Sequence, residues 1–599
     1  MKSINTRALV ASMMMTGLIL GAATEAGAQT CAFPAATDYK VVEVMKGMTD
    51  PDHMAVLPDG QVFAIEQWSG KVWLGAVGKA AVVVGTVPTN KGRSIEDGML
   101  GIVADLDYAT THWLYNLHTP STLGSNRITR YTVTNGALTN PKMIMEYPRT
   151  ISTGVQEDQR HAGGGMAWNG RTKDLYISTG DDTHPFGARS VYGPRDPDNS
   201  NVNALRTASN TNDLRGKCLR IRPIPFPDSQ TPSAGVGSTY NIPTGNLFPT
   251  GTLPAGKTRP EIYSMGHRNA YRVKTDSITG WAFVGEVGAD ADDYDDSKGP
   301  PGFDKITLLK GASNAGWPFV NGNLEPYKVQ SYEKAYLDAG YAAGAPFNLK
   351  SMKNLSTFNT GLTDLPPVNV GPLVYYSAKG LQKGVSTKMG SGSETIISGP
   401  TYDFNPDLKS DVKLPPYFHR KIIFGDYSRH YIWLMTVDTD GALKELEKVR
   451  TGPNVIDMDI GPDGTLYYLD YGAGTVYSLQ YTGAQKDWKS CTFIKEGCMN
   501  SKFKEFDPTA NLNNVKLCAT PVSIQALGPQ GREDGRYRLL ADLMSGSNRL
   551  SVPAWAASVE IYAVTGNKVF AAPTRGRPEL SLPRDIGRQG LLYVKYLGK

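Results

Sequence analysis

A histidine followed by three glycines marks a place in this chain where chemistry could occur. The stretch reads RHAGGGMAWNG at residues 160–170, and His161 carries the side chain that titrates nearest to neutral pH. Glycine tolerates backbone conformations that other residues avoid and leaves the space beside the imidazole clear. The pattern therefore predicts a site where a ligand approaches the backbone closely, with a floppy surface loop as the alternative interpretation.

The residues that follow predict a partner for this histidine. Residues 161–181 have the pattern of an antiparallel hairpin, in which Met166 lies opposite Tyr176 and His161 lies opposite Asp181. Opposed residues have Cβ atoms about 4.5–5.5 Å apart. A carboxylate there accepts a hydrogen bond from the N–H of one imidazole nitrogen and leaves the other nitrogen as a base. The spacing predicts a His161–Asp181 dyad, although hairpins also produce such pairs by chance.

Repeated strand units predict the element that positions this dyad. Two units, 53–75 and 456–480, have a short apolar strand, a Pro-Asp-Gly turn and an aromatic-rich strand, two more repeat this hairpin with other turns, and 99–119 is a looser copy, as in many all-β folds. The units occur at residues 53–75, 99–119, 165–181, 271–288 and 456–480. Their spacing favours an all-β protein with a six-bladed β-propeller over residues 38–483, closed by joining its two ends. Residues 182–216 and 323–395 are predicted to be long insertions, either functional lids or disordered segments.

The two ends of the chain predict export and an additional domain. Residues 1–28 combine Lys2, Arg7, an apolar run and an Ala-Gly-Ala cleavage pattern, which is typical of a secretory signal peptide. Residues 484–525 read as a cysteine-containing linker and residues 526–599 as a small β-sandwich. The last strands resemble the sorting domains of the type IX secretion route. That resemblance implies cell-surface attachment, with a plain carbohydrate- or surface-contacting β module as the alternative.

Charge and cysteine content limit the function classes. A net charge of +5 over 599 residues, without a long basic run, argues against nucleic-acid binding. After the N-terminal segment, no apolar run is long enough to predict a transmembrane segment. Export permits disulfides, Cys491 and Cys498 are close enough in sequence to be partners, and five cysteines leave at least one unpaired. We expect a periplasmic, cell-surface or extracellular protein.

Six segments in order resemble the soluble quinoprotein glucose dehydrogenase and sorbosone dehydrogenase family. They are DGMLGIVADLDY (97–108), HAGGGMAWNGRTKDLYISTGDD (161–182), GKCLRI (216–221), EIYSMGHRNAYRV (261–273), GEVGADADD (285–293) and FDKITLLKGASNAGWPFV (303–320). The resemblance implies a six-bladed propeller that binds pyrroloquinoline quinone (PQQ) and Ca²⁺. It also implies oxidation of an aldose or related sugar, with electrons passed to an external acceptor.

The resemblance implies a role for two pairs of residues in the reaction itself. His161 falls on the catalytic base that takes the proton of the anomeric hydroxyl, and Asp181 falls on the aspartate that orients it. Arg268 and Asn269 fall on residues that contact the quinone. A guanidinium suits both quinone oxygens and carboxylates, and Arg268 would also stabilise negative charge that develops during hydride transfer.

The remaining implied ligands match the family less closely. Gly288 and Ala289 fall where two backbone carbonyls hold Ca²⁺, and carbonyl oxygens suit that hard cation. Glu96 falls near a glutamine that touches the sugar. Arg429 lies near a second set of quinone-binding arginines, but the lysine expected before it is missing, because PTYDF occupies that place.

These residues leave three functional hypotheses. The first is an exported PQQ- and Ca²⁺-dependent sugar dehydrogenase with His161 as general base. The second is a cofactor-free propeller that binds carbohydrate or a surface, which the missing lysine favours. The third, a Ca²⁺-dependent lactone hydrolase, needs side-chain carboxylates that converge on the propeller axis, and the sequence gives no such set at the starts of the blades.

Overall fold

A computed structural model gives the fold of most of the chain. The signal peptide predicted at residues 1–28 lies outside the described residues. The structure describes residues 31–90, 96–121, 124–149, 160–185, 189–251, 254–501, 503–519 and, within the C-terminal region, 536–539, 549–551, 556–563, 568–574, 577, 579–581 and 592–598.

Six sheets, each built on four antiparallel strands, follow one another from residue 39 to residue 481, and the third sheet has two additional short strands, Tyr240–Asn241 and Ser313–Asn314. Blade 1 contains Pro51–Val56, Val62–Glu66, Lys71–Ala76 and Lys79–Thr86, and blade 2 contains Met99–Ala104, Trp113–His118, Ser125–Thr134 and Ala137–Pro148. Blade 3 contains Gly163–Asn169, Asp174–Thr179, Lys217–Pro223 and Ile262–Met265, and blade 4 contains Asn269–Thr275, Ala282–Val287, Asp304–Leu309 and Pro372–Tyr376. Blade 5 contains Ile396–Ile397, Ile422–Asp426, Tyr431–Val437 and Leu443–Thr451, and blade 6 contains Val455–Ile460, Leu466–Asp470, Thr475–Tyr481 and Tyr39–Lys46. The predicted all-β, six-bladed propeller is confirmed.

Two features close the six blades into a ring. The N-terminal strand Tyr39–Lys46 pairs antiparallel with Thr475–Tyr481, so both ends of the propeller meet in blade 6. The first strands of most successive blades contact one another, and the first strand of blade 5 contacts the second strand of blade 4, which makes the first strands the inner strands around the axis. All six inner strands run in the same direction along this axis, so residues just before them gather at one end of the propeller and residues just after them at the other.

Turn chemistry explains the repeated hairpins. In blade 1, Pro58-Asp59-Gly60 forms the turn, and the amide of Leu57 donates to the carbonyl of Gln61 at 2.8 Å. Gly60 has φ +84°, and Gly464 in the corresponding turn of blade 6 has φ +77°. Only glycine adopts this region freely, so the Asp-Gly pairs fix where each strand reverses.

Helices are few and short, and four of the nine in the described residues lie in the insertions. Among the described residues, no helix is long and apolar enough to cross a bilayer. The helices up to residue 490 are Ala36–Asp38, Tyr108–Thr111, Ser200–Val202, Ala204–Arg206, Lys334–Asp338, Gly384–Met389, Pro416–Phe418 and Trp488–Ser490. The further short strands are Tyr240–Asn241, Ser313–Asn314, Val320–Asn321 and Glu325–Pro326. The described residues of the second insertion are folded rather than disordered, because Tyr336 and Phe347 are buried against Phe319.

The disulfides differ from the pairing suggested by sequence proximity. Cys31 is bonded to Cys491, 460 residues away, and Cys498 is bonded to Cys518. The suggested Cys491–Cys498 pair is therefore wrong, because ring closure brings the N-terminal segment beside residue 491. Cys218, within the part of the chain that the structure describes, is buried and unbonded.

Residues 495–599 form a separate compact unit. It contains Glu496–Gly497, Leu512–Asn513 and the short helix Val515–Leu517. Its C-terminal part has a four-stranded antiparallel sheet and a two-stranded sheet, formed by Arg536–Leu539, Arg549–Ser551, Ala556–Ala563, Lys568–Pro573, Glu579–Ser581 and Leu592–Gly598. The type IX resemblance stays a prediction, and residues 582–591, which carry part of it, lie outside the described residues.

Candidate functional site

The mouth of the first hairpin of blade 3 brings His161 and Asp181 together. His161 precedes the inner strand Gly163–Asn169, and Asp181 follows the next strand, Asp174–Thr179. The imidazole Nδ1 lies 2.7 Å from Oδ1 of Asp181, and the two residues are 4% and 0% exposed. Every hydrogen bond of this ring among the described residues is made at Nδ1, which leaves Nε2 to act on a ligand.

The register of this hairpin differs by one residue from the sequence prediction. Met166 pairs with Ile177, not with Tyr176, while Gly163 pairs with Thr179. A β-bulge between Gly163 and Met166 accounts for the difference, since it places an extra residue on one strand. The bulge restores the predicted alignment at the mouth, where His161 and Asp181 meet.

The glycines serve a different purpose from the predicted one. A Cβ on Gly163 would lie 2.6 Å from the amide nitrogen of Gly180, and one on Gly164 would lie 2.6 Å from the carbonyl of Leu100. On Gly165 it would lie 2.5 Å from the amide of Val273. The sequence interpretation assigned this space to a ligand, but the backbone of the same hairpin and of the inner strands of blades 2 and 4 fills it. The glycines let blades 2, 3 and 4 approach closely enough to hold the dyad.

Asp181 is held by several donors besides the histidine. The hydroxyl of Thr183 donates to Oδ1 at 2.8 Å, and the indole Nε1 of Trp317 donates to Oδ2 at 2.7 Å. Burial alone would raise the pKa of Asp181, but the charge and hydrogen bond of His161, together with Arg268 and Thr183, lower it below its ordinary value. An ionised Asp181 accepts a hydrogen bond from Nδ1–H, so that in the neutral ring Nε2 carries no proton.

The start of blade 4 places Arg268 and Asn269 against the same hairpin. The amide of Asp181 donates to the carbonyl of Arg268 at 2.6 Å, and the amide of Gly163 donates to Oδ1 of Asn269 at 3.2 Å. Glu96 completes the network, because its Oε2 accepts from the side chain of Asn269 at 3.2 Å and from the amide of Ala162 at 3.0 Å. Five of the predicted site residues therefore lie in one hydrogen-bonded group.

The guanidinium of Arg268 has a partner that a ligand can replace. Its Nη2 lies 2.7 Å from Oδ2 of Asp290, whose side chain is 44% exposed, and its Nη1 lies 3.4 Å from the carbonyl of Val287. The guanidinium carbon lies 5.9 Å from the ring centre of Trp317. Trp317 thus links Arg268 to Asp181, a role that the GASNAGWPFV motif did not reveal.

A second histidine–carboxylate pair contacts the backbone of Arg268. Glu286 accepts from His267 Nδ1 at 2.9 Å and from the amide of Arg268 at 2.7 Å. Neither His267 nor Glu286 is exposed. Burial would raise the pKa of Glu286, but Lys305 and His267 lower it to about 2. This pair fixes the backbone of the loop that carries Arg268.

We expect Glu286→Gln to reduce the free energy of unfolding by about 3 kcal/mol at neutral pH. The folded-state pKa of about 2 lies below the ordinary value of 4.5, so the carboxylate stabilises the fold above pH 4.5. That contribution is lost as the pH falls towards the folded-state pKa. Urea unfolding at several pH values should give a wild-type minus variant difference that shrinks with acidification. A difference that is constant with pH contradicts this role, and Glu146→Gln, which alters an exposed pair, is the control.

The second aspartate of the Asp181–Asp182 pair has a structural role. Asp182 accepts from Arg149 at 2.8 Å and from Arg215 at 2.7 Å, and Arg149 also reaches Asp97 at 2.7 Å. These buried ion pairs join blade 2, the hairpin mouth and the first insertion. Sequence reasoning missed Asp97, Arg149 and Arg215, because pairs between distant segments leave no local pattern.

The predicted Ca²⁺ ligands, Gly288 and Ala289, lie beside the site, but the groups around them give less support to metal binding. The amide of Gly288 donates to Oδ1 of Asp304 at 2.8 Å. The carbonyl oxygen of Ala289 faces the backbone of Gly302, where a Cβ would lie 1.6 Å from it. The described residues contain no cluster of three or more His, Cys, Asp or Glu side chains able to hold a metal ion. Any Ca²⁺ bound here would depend on backbone carbonyls.

The guanidinium of Arg429 is hydrogen-bonded to the loop that precedes its own blade. Its guanidinium carbon lies 4.4 Å from the ring centre of Tyr376. The five N–H donors reach the carbonyls of Ser377, Met389, Gly390, Gly392 and Ser393 at 2.6–3.4 Å. The geometry assigns Arg429 a structural role and leaves it no donor for the predicted cofactor contact.

Comparison with known proteins shows a similarity over part of the propeller. Residues 48–345, just under half of the chain, match the model of the Glucose / Sorbosone dehydrogenase family. An uncharacterized protein of Synechocystis sp. is 25% identical over 298 residues, which are 48% of this chain and 61% of that protein. The chain therefore matches less than two thirds of that relative's length.

Solved structures with similar folds are more distant. The PQQ-bound aldose sugar dehydrogenase of Streptomyces coelicolor is 18% identical, with a TM-score of 0.44, over 74% of this chain and 98% of that one. The apo-form of the soluble aldose sugar dehydrogenase of Escherichia coli is 17% identical, with a TM-score of 0.45, over 74% of this chain and 99% of that one. The six blades described above are defined by this chain's own strand pairing.

Proposed function

We propose that this protein is an exported PQQ-dependent dehydrogenase that oxidises an aldose or a related sugar, with His161 as the general base. The observation that carries the proposal is the contact sequence from His161 through Asp181 and Trp317 to Arg268. It joins a base, the group that orients the base, and a guanidinium at one end of the propeller. The match of residues 48–345 to the glucose/sorbosone dehydrogenase family model supports the same reaction class.

The side chains present fit PQQ, a planar cofactor with quinone and carboxylate oxygens. Arg268 offers a planar set of donors for such oxygens, and its partly exposed partner Asp290 can be displaced by a ligand carboxylate. Asn269, beside it, is the second residue that would hold the cofactor. When bound, PQQ supplies the acceptor for the hydride that leaves the anomeric carbon of the sugar.

The protein's own groups handle the proton and the developing charge. Nε2 of His161 accepts the proton of the anomeric hydroxyl while the C1–H bond breaks and the C1=O bond of the lactone forms. Asp181 stabilises the imidazolium that results, because it remains ionised at 2.7 Å from Nδ1. Arg268 stabilises negative charge on an oxygen that it contacts, in a site where burial strengthens that interaction. Glu96 lies beside Asn269, where it would contribute to sugar recognition.

Ca²⁺ is a separate part of the proposal, for which Gly288 and Ala289 are the expected ligands. Because the described side chains form no metal cluster, reconstitution should be measured with PQQ alone and with PQQ plus Ca²⁺. Export is supported by the two disulfides, since such bonds persist in oxidising compartments. Electrons would pass to an external acceptor, and the C-terminal unit is proposed to attach the protein to the cell surface.

A cofactor-free binding propeller is the second candidate function. The commitment of all five Arg429 donors to backbone carbonyls favours it, because the expected second arginine then contributes nothing to PQQ. Titration of PQQ into the full-length protein distinguishes the two. The dehydrogenase proposal predicts saturable quenching of cofactor fluorescence that Arg268→Leu weakens at least about tenfold. No quenching, with saccharide binding intact, would overturn the proposal in favour of the binding module.

A further inference from the structure

A second cavity lies at the opposite end of the propeller axis from His161. Its volume is about 270 Å³. Residues at or near the ends of the inner strands of all six blades line it, among them Met54, Ala104, Trp168, Lys274, Pro400 and Asp459. His161 and Arg268 precede their inner strands, whereas Trp168 and Lys274 lie near the ends of the same strands. An inner strand of seven residues spans about 20 Å, so the two sites are separate.

A buried histidine supplies this cavity with an unsatisfied donor. His53 lines the cavity and is 1% exposed. Burial lowers the pKa of His53 to about 3, so its ring is neutral. The amide of Ile102 donates to Nδ1 at 3.3 Å, so Nε2 carries the proton. That Nε2–H has no hydrogen-bond partner within the described residues, which is costly for a buried group unless a ligand or water accepts from it.

The charges around the cavity exclude the simplest ionic ligands. The ammonium of Lys274 lies 3.0 Å from Asp457 and 3.7 Å from Asp459, and Asp105 also lines the wall. Because three carboxylates surround one ammonium group here, binding of an anion is disfavoured. The N–H of His53 and the ammonium disfavour a metal cation at the same place. A neutral molecule that both donates and accepts hydrogen bonds satisfies these groups.

The apolar part of the wall indicates the shape of the ligand. The ring of Trp168 is held in place, because its Nε1 donates to the carbonyl of Ala104 at 2.8 Å and it packs edge-to-face on Tyr115. Pro400 and Met54 add further apolar surface. A volume below the roughly 300–1,000 Å³ typical of sites for drug-sized ligands fits a single small ring.

We propose that this cavity binds a small neutral polyhydroxylated molecule, of monosaccharide size, at a site separate from the one that contains His161. The N–H of His53 and the ammonium of Lys274 donate to its hydroxyl oxygens, and the half-exposed carboxylate of Asp459 accepts from a hydroxyl. Trp168 contacts an apolar face of the ring. The inference does not depend on the proposed oxidation.

The test uses methyl β-D-glucopyranoside, which has no free anomeric hydroxyl and cannot be oxidised as proposed above. Saturation-transfer NMR on the full-length protein should detect binding, and His53→Asn should weaken it about tenfold, because asparagine retains an acceptor for Ile102 but loses the Nε2 donor. His161→Asn should leave binding unchanged. His53→Asn should also leave sugar oxidation by the PQQ-loaded protein unchanged, which separates failure of one proposal from failure of the other.

Asp459→Asn provides a second variant if His53→Asn does not fold, because the Asp459 side chain is 42% exposed at the cavity mouth. It should also weaken binding, and Asp107→Asn, the same change at a side chain outside the cavity lining, should not. Three results would overturn the proposal: no binding to the wild type, binding lost in His161→Asn but kept in His53→Asn, or binding unaffected by either cavity variant.

Discussion

Replacing His161 with asparagine lowers kcat for aldose oxidation by about 10²–10⁴-fold in the full-length, PQQ-loaded protein, if the imidazole is the general base. Asparagine is the appropriate substitute because His161 has φ +58°, a conformation that asparagine tolerates better than most residues. The fold should therefore persist while the base is lost. Steady-state kinetics with a panel of aldoses, together with thermal unfolding, measures both effects.

His112→Asn is the matched control for this variant. His112 also has a positive φ, at +53°, but is exposed at the end of the short helix Tyr108–Thr111, outside the candidate site. Its replacement should leave kcat unchanged. An unaltered kcat in His161→Asn would show that the histidine takes no part in the reaction, whichever cofactor is bound.

Asp181→Asn should reduce kcat by a similar factor, with little change in KM. The carboxylate does not need to touch the sugar, but it holds the Nδ1 proton and balances the charge of the imidazolium. In serine proteases, the corresponding change of aspartate to asparagine favours the wrong tautomer and costs about 10⁴ in kcat. The amide would also face Trp317 Nε1 and Thr183, which both require an acceptor.

Asp174→Asn is the control for this effect, because Asp174 lies at the other end of the same hairpin and pairs with Arg222. It should retain the wild-type kcat. A large rise in KM with unchanged kcat for Asp181→Asn would instead assign the aspartate to sugar binding. The thermal stability of both variants should be compared, since both side chains are buried in the folded protein.

Local patterns were sufficient to predict the blades and the His161–Asp181 contact. Period-two strands and Asp-Gly turns act over a few residues, so their structural consequence can be read directly. The register was wrong by one residue because a bulge depends on how neighbouring strands pack. The same packing explains the glycines, whose Cβ positions are filled by the backbones of blades 2, 3 and 4.

Contacts between distant segments could not be predicted from local patterns. Trp317 reaches Asp181 across 136 residues, and Cys31 reaches Cys491 across the closure of the ring. Arg429 carries the residue type expected for an anionic cofactor, but a folded loop supplies carbonyls for all its donors. Residue type alone does not show whether a guanidinium is already satisfied.

The central claim is that a sugar bound beside His161 gives its proton to the imidazole and its hydride to PQQ. The most direct measurement is the absorbance of the PQQ-loaded, full-length protein after anaerobic mixing with a panel of aldoses, with and without deuterium at C1. The account predicts loss of the oxidised PQQ spectrum, slower with the deuterated sugar and at least about 10²-fold slower in His161→Asn. An unchanged spectrum with every aldose, while PQQ remains bound, would contradict it.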